Sequence, residues 1–124
     1  MNLGPKTSIS AVRATEASLG VRLPDDYVAF MLQHNGAIGI MSDNQFLTLL
    51  ELEELEQNNR DYGIAEDAPG LVMFGSDGGN EAYAFDTRTT PWGVVAFPFI
   101  SIDIGEARPI APSFTEFLLE LQRT

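Results

Sequence analysis

Between residues 71 and 97 the chain carries three short runs rich in apolar and aromatic residues, each separated from the next by turn formers. Leu71, Val72, Met73 and Phe74 lead into Ser76-Asp77-Gly78-Gly79-Asn80. Residues 81–86 then alternate Ala82 and Ala84 with Tyr83 and Phe85, and the turn-rich stretch from Thr87 to Pro91 precedes Val94, Val95, Ala96 and Phe97. Connections this short leave no room for a crossover helix, so the runs pair as an antiparallel meander. The most apolar of them, residues 71–75, reads as a central strand.

Helical patterns flank this core. Residues 7–19 predict an amphipathic helix, with N-cap oxygens at Thr7, Ser8 and Ser10 and a left-handed stop at Gly20. Glu16 falls on its apolar stripe beside Ile9, Val12 and Leu19, so it needs a partner, and local hydrogen bonding at the helix junction is the expected one. A second helix is expected from Pro24 at its first position, with Asp25 and Asp26 at the positive dipole end. Tyr27, Phe30, Met31 and His34 share one face, and Asn35-Gly36 stops the helix. Residues 37–41 and 45–50 read as strands around Ser42-Asp43-Asn44, residues 51–59 as a helix, and residues 61–69 as a loop. Ile100, Ile102 and Ile104 alternate with Ser101 and Asp103, a pattern for an edge strand. Ser113-Phe114-Thr115-Glu116 matches a capping box ahead of Phe117, Leu118 and Leu121. Helices at both ends with strands between them predict an α+β fold: a mostly antiparallel sheet flanked by N-terminal and C-terminal helices, in one domain spanning residues 1–124.

Composition narrows the chemistry. The 124 residues hold 18 Asp and Glu against 7 Lys and Arg, a formal charge of −11. A hydrophobic content of 44% supplies a core. There is no cysteine and one histidine, which excludes disulfides, thiolate zinc sites, cysteine nucleophiles and a multi-histidine metal site within one chain. Apolar runs fall far short of the ~20 residues that span a bilayer. Asn2, Pro5 and Lys6 interrupt the start of the chain where a signal peptide would be continuous, so a cytoplasmic protein is expected. The charge opposes nucleic acid and anionic membranes and favours a basic protein partner.

No motif gives catalysis a foothold. The glycine-rich turn at residues 75–81 lacks the Gly-Lys-Ser/Thr ending of a phosphate loop and leads into a strand, so no helix N-terminus awaits a phosphate. It fits a calcium loop only at Asp77 and Glu81 and reads as a hairpin turn needing positive φ. Eighteen acids make carboxylate pairs unavoidable, so their presence identifies no glycosidase. His34 has no Gly-x-Ser-x-Gly elbow to serve and reads as a capping or packing residue. The residues thus single out no catalytic group, metal site or cofactor site.

The order of these pieces resembles the SUKH superfamily, in its Smi/Knr-like branch. The resemblance runs from Ile9, Glu16 and Leu19-Gly20 through Leu23-Pro24-Asp25-Asp26-Tyr27, Phe30-Met31-Leu32 and Asn35-Gly36. It continues with Leu52-Glu53-Glu54-Leu55, Phe74-Gly75-Ser76-Asp77-Gly78-Gly79, Tyr83, Phe85 and Asp86, and ends at Ala111-Pro112-Ser113-Phe114-Thr115-Glu116-Phe117-Leu118. Residues 98–108 match none of it and read as the variable part. The resemblance implies an α+β fold, no enzymatic activity, and a bacterial immunity protein that neutralises a toxin. A regulatory or scaffolding module of the same fold is the alternative, and a small hydrolase ranks lower.

Two surfaces compete as the partner-binding site. Between residues 51 and 67 lie Glu51, Glu53, Glu54, Glu56, Asp61, Glu66 and Asp67 against Arg60 alone, a local charge of −6. The other is the turn carrying Asp77, Asn80 and Glu81. A basic, nuclease-type toxin domain is the partner such surfaces suit.

Overall fold

The computed structural model describes residues 1–123. Among these residues seven strands form one sheet whose spatial order is the chain order. They are β1 (Asn2–Leu3), β2 (Ala37–Ser42), β3 (Gln45–Leu49), β4 (Leu71–Ser76), β5 (Glu81–Asp86), β6 (Gly93–Pro98) and β7 (Arg108–Ala111), each antiparallel to the next. The meander over β4, β5 and β6 is the one the three runs predict, and β4 lies at the centre of the order. The fold class is α+β, as expected from the sequence pattern.

Helix α1 (Ile9–Leu19) starts where the Ser8 hydroxyl accepts the Ala11 N–H at 3.2 Å and stops where Gly20 turns left-handed at φ 73°. Glu16 has the local partners its position demands: Arg13 at 2.6 Å and the Leu23 N–H at 2.8 Å. Helix α2 (Asp25–Gln33) begins one residue later than expected. Pro24 takes the extended cap conformation (φ −60°, ψ 144°), and its carbonyl accepts the Val28 N–H at 2.9 Å. Helix α3 (Leu52–Asp61) runs two residues past the expected end, and α5 (Phe114–Arg123) closes the described chain.

One face of the sheet is covered by α1, α2 and α5. Val12, Tyr27, Met31, Phe114, Phe117 and Leu121 meet Leu47, Leu49, Phe74, Tyr83 and Phe85 there. Tyr27 is the hub, edge-on to Phe85 and to Phe114 at 5.1 Å each. Each such side chain stabilises the fold by about 1.5–3 kcal/mol through removal from water. The opposite face is covered over β4–β6, where Leu71, Met73, Ala82, Ala84, Val95 and Phe97 pack with Ile64, Ala68, Phe99, Ile102 and Ile104. Burial on both faces explains why these strands are apolar at nearly every position.

That second cover corrects two expectations. Residues 61–69 are not simply a loop, because Ile64–Asp67 form a one-turn helix, α4, that buries Ile64 completely. The Ile100, Ile102, Ile104 alternation is not a strand either. Asp103 accepts the Gly105 N–H at 2.7 Å and bends the chain into a 3₁₀ turn over Ile104–Glu106. Ile102 and Ile104 pack under the sheet while Ile100 is left 96% exposed. The edge strand is β7, where an edge position tolerates Pro109. Strand β1 was not expected: two residues carry no periodicity, and it is pinned by the Gly4 N–H donating to the Gly36 carbonyl at 2.8 Å.

Candidate functional site

The acidic stretch is arranged by where its apolar residues must go. Leu52 and Leu55 are buried against the first core, and Ile64 and Ala68 against the second. That orientation leaves Glu51, Glu53, Glu54, Asp61, Glu66 and Asp67 exposed and Glu56 half-buried. The seven carboxylates thus follow the outer side of the chain from the residue before α3 to the end of α4, with the turn at Gly63 (φ 63°) between the two helices.

Two asparagines hold this face in place. Asn35, itself buried, accepts the Leu52 N–H at 2.8 Å and donates to Glu53 at 2.8 Å, so it closes the first turn of α3. Asn59 reaches β4 and bonds both the N–H (2.8 Å) and the carbonyl (2.9 Å) of Met73. β3 pairs with β4 at Thr48–Ser76 and Leu49–Gly75, the Leu50 N–H still donates to the Phe74 carbonyl at 3.0 Å, and beyond that the Asn59 amide takes the place of the missing strand. From the sequence, Asn35 reads only as a helix stop and Asn59 as an ordinary helical residue. Their partners lie 17 and 14 residues away, beyond any local pattern.

The carboxylates differ in how far the fold already uses them. Glu51 and Glu54 form a capping box at the start of α3, with Glu54 accepting the Glu51 N–H at 3.0 Å and the Glu51 side chain accepting the Glu54 N–H, and Asp61 accepts from Gln57 at 2.6 Å. Glu56 pairs with Arg60, and this hydrogen bond with its charge raises the arginine pKa. None of the ion pairs among the described residues includes Glu51, Glu53, Glu54, Asp61, Glu66 or Asp67. Glu56 is therefore the one carboxylate of the seven that an ion pair among the described residues neutralises.

The second candidate surface is built differently. Asp77 accepts the N–H groups of Gly79 (2.9 Å) and Glu81 (3.1 Å), which closes the β4–β5 turn. Gly78 sits at φ 81°, and a Cβ there would collide with the Phe46 ring. Glu81 pairs with Arg108, and the Asn80 carbonyl accepts the Phe99 N–H at 2.9 Å. Both carboxylates have structural work here. Asp77, Glu81, Tyr83, Arg108 and Glu120 line a depression of about 340 Å³. Burial, with the charges of Asp77 and Glu81, pushes the Tyr83 hydroxyl above its ordinary pKa.

His34 stands at the C-terminal cap of α2 with its ring 5.5 Å from Phe30, the packing position the pattern predicts. Asp86 is buried, and Arg88 grips it at 3.0 and 3.1 Å, which holds its carboxyl below the usual range. Among the described residues no group of three His, Asp or Glu side chains is placed to hold a metal ion, and no helix is long and apolar enough to cross a membrane.

An uncharacterized protein of Bacillus subtilis (strain 168), YobM, is 34% identical over 74 residues, which cover 55% of this chain and 40% of that relative. The chain therefore spans well under half of that protein's length. The SMI1 / KNR4 family (SUKH-1) model matches residues 6–120, from just ahead of α1 to near the end of α5. A match over nearly every described element, on the α+β fold that the pieces predict, carries the assignment: the chain belongs to the SMI1 / KNR4 (SUKH-1) family.

Proposed function

We propose that the protein is an immunity-type binding domain that neutralises a basic toxin domain, with the acidic face of α3 and α4 drawing the toxin in. Family membership supports a protein-interaction or immunity-type role. The observation that carries the finer reading is the run of carboxylates at Glu51, Glu53, Glu54, Asp61, Glu66 and Asp67, each exposed and outside every ion pair of the described residues. Like charges held together destabilise the free protein slightly, so a cationic partner gains from meeting them. A nuclease-type toxin offers such a surface in its nucleic-acid groove, and covering that groove also blocks its substrate.

The turn at Asp77, Asn80 and Glu81 is the weaker candidate, because its carboxylates already close a turn and pair with Arg108. The test is protection in cells. The toxin domain encoded beside this gene is expressed from an inducible promoter with and without the protein. Restored growth, together with a stable one-to-one complex, is the expected result. A toxin that kills equally in both strains, or the absence of any toxin gene nearby, points instead to a regulatory module.

A further inference from the structure

The sheet face opposite α1, α2 and α5 is covered over β4–β6 but open over β2 and β3. Register places Ile38 opposite Thr48 and Ile40 opposite Phe46, so all four share the open face. Ile38 is 48% exposed, Ile40 69% and Phe46 39%, three large apolar side chains together where singly scattered ones would need no explanation. Phe46 is held in place, since its ring fills the space over Gly78. The patch runs into a groove of about 300 Å³ whose walls include Leu3, Ile38 and Thr48 on one side and Glu51 and Glu54 on the other. Ile38 thus belongs both to the apolar patch and to the groove walled by Glu51 and Glu54, while Ile40 and Phe46 continue the patch beyond it, and neither carboxylate is in an ion pair among the described residues.

We propose that this groove and the β2–β3 face anchor a basic protein partner, which seats an apolar side chain on Ile38, Ile40 and Phe46 and a lysine or arginine at Glu51 and Glu54. The proposal rests on the protein-binding reading above and names the surface that holds the partner rather than the one that attracts it. Charge selects the occupant. A second copy would bring the Glu51 and Glu54 carboxylates of two −11 chains together around the patch, and an anionic lipid surface would be repelled likewise. A partner with cations beside an apolar residue gains from both halves of the groove. Centrally placed apolar anchors supply most of the holding energy at interfaces, so the patch should govern dissociation.

The test uses the full chain, isotope-labelled for NMR, and a synthetic peptide that alternates lysine with isoleucine, with a control in which serine replaces each isoleucine. The expected result is that the first peptide shifts the backbone amides of Ile38, Ile40, Phe46, Glu51 and Glu54, and that the serine control binds at least about tenfold more weakly. Ile40→Lys, at a position exposed enough to leave the fold intact, should weaken the first peptide by about tenfold while its spectrum stays dispersed. Glu51→Gln should weaken both peptides. Shifts confined to Glu66, Asp67 and their neighbours, equal for both peptides, would overturn the groove and leave the acidic face standing. No shift with either peptide would overturn both readings. Concentration-dependent broadening at Ile40 and Phe46 without peptide would make the occupant a second copy and refute the proposal.

Discussion

Tyr27 buries its hydroxyl completely among Phe74, Phe85 and Phe114, and that oxygen has no hydrogen-bond partner among the described residues. Burial alone pushes its pKa upward, so the phenol stays neutral. An unpaired buried hydroxyl costs about 1–3 kcal/mol, and Phe keeps the ring that fills the site. Tyr27→Phe should therefore leave stability unchanged or raise it by up to about 2 kcal/mol, read from urea denaturation. A loss of stability would mean that the oxygen is bonded. Glu16 is the opposite case. Burial works against its charge, but the Arg13 hydrogen bond, the Leu23 N–H and the charges of Arg13 and Arg22 outweigh burial and hold its pKa below the ordinary value. Its contribution is complete above the ordinary carboxylate range and is lost as pH falls through the lowered folded value. Glu16→Gln should cost about 1–3 kcal/mol at neutral pH, and the gap from the parent protein should close on acidification below the ordinary carboxylate range. A gap independent of pH would assign Glu16 a packing role instead.

At the scale of elements, the weak joint is between β3 and β4, where two paired positions, the Leu50 N–H donating to the Phe74 carbonyl and one asparagine connect the halves of the sheet. Asn59→Leu leaves the Met73 N–H and carbonyl without partners. It should cost roughly 2–4 kcal/mol and speed hydrogen exchange at Met73 more than at Ala84, on the neighbouring strand. Equal exchange at both would mean that α3 does not brace the sheet. The same scale shows what was legible in advance. α1, α2, α3, α5 and β2 to β6 carry their own signals, such as Ser8 and Gly20 around α1 or the alternation in β5. Elements made by tertiary contact do not. α4 exists because Ile64 and Ala68 find the back of the sheet, and Ile102 and Ile104 copy a strand period while serving as a lid. Asp26 has a local reading at the dipole of its own helix, yet its carboxylate also bonds the Thr115 N–H (2.9 Å) and hydroxyl (3.0 Å) at the start of α5, 89 residues away. The acidic run was legible by counting charges. The anchoring patch was not, because exposure of Ile38, Ile40 and Phe46 depends on what fails to cover β2 and β3.

Over the whole molecule, Arg13, Arg60, Arg88, Arg108 and Arg123 are each paired within the chain, leaving the surface strongly negative. Repulsion within such a surface opposes the compact state and is screened by salt. Moving from about 0.02 M to about 0.5 M sodium chloride should raise the melting temperature, and a fall would place the balance with the ion pairs. The same screening separates attraction from holding in the complex. The central claim is that the α3–α4 carboxylates steer a basic partner. It is tested most directly by stopped-flow association of that toxin domain with the parent protein and with the triple variant Glu53→Gln, Glu54→Gln, Glu56→Gln. Glutamine remains a good helix former and keeps the acceptor oxygens used by Asn35 and the Glu51 N–H. At about 0.02 M salt the variant should associate about tenfold more slowly, and at about 0.3 M the two rates should converge. An association rate unchanged by the three substitutions at low salt would contradict the account and make this surface a solvated face.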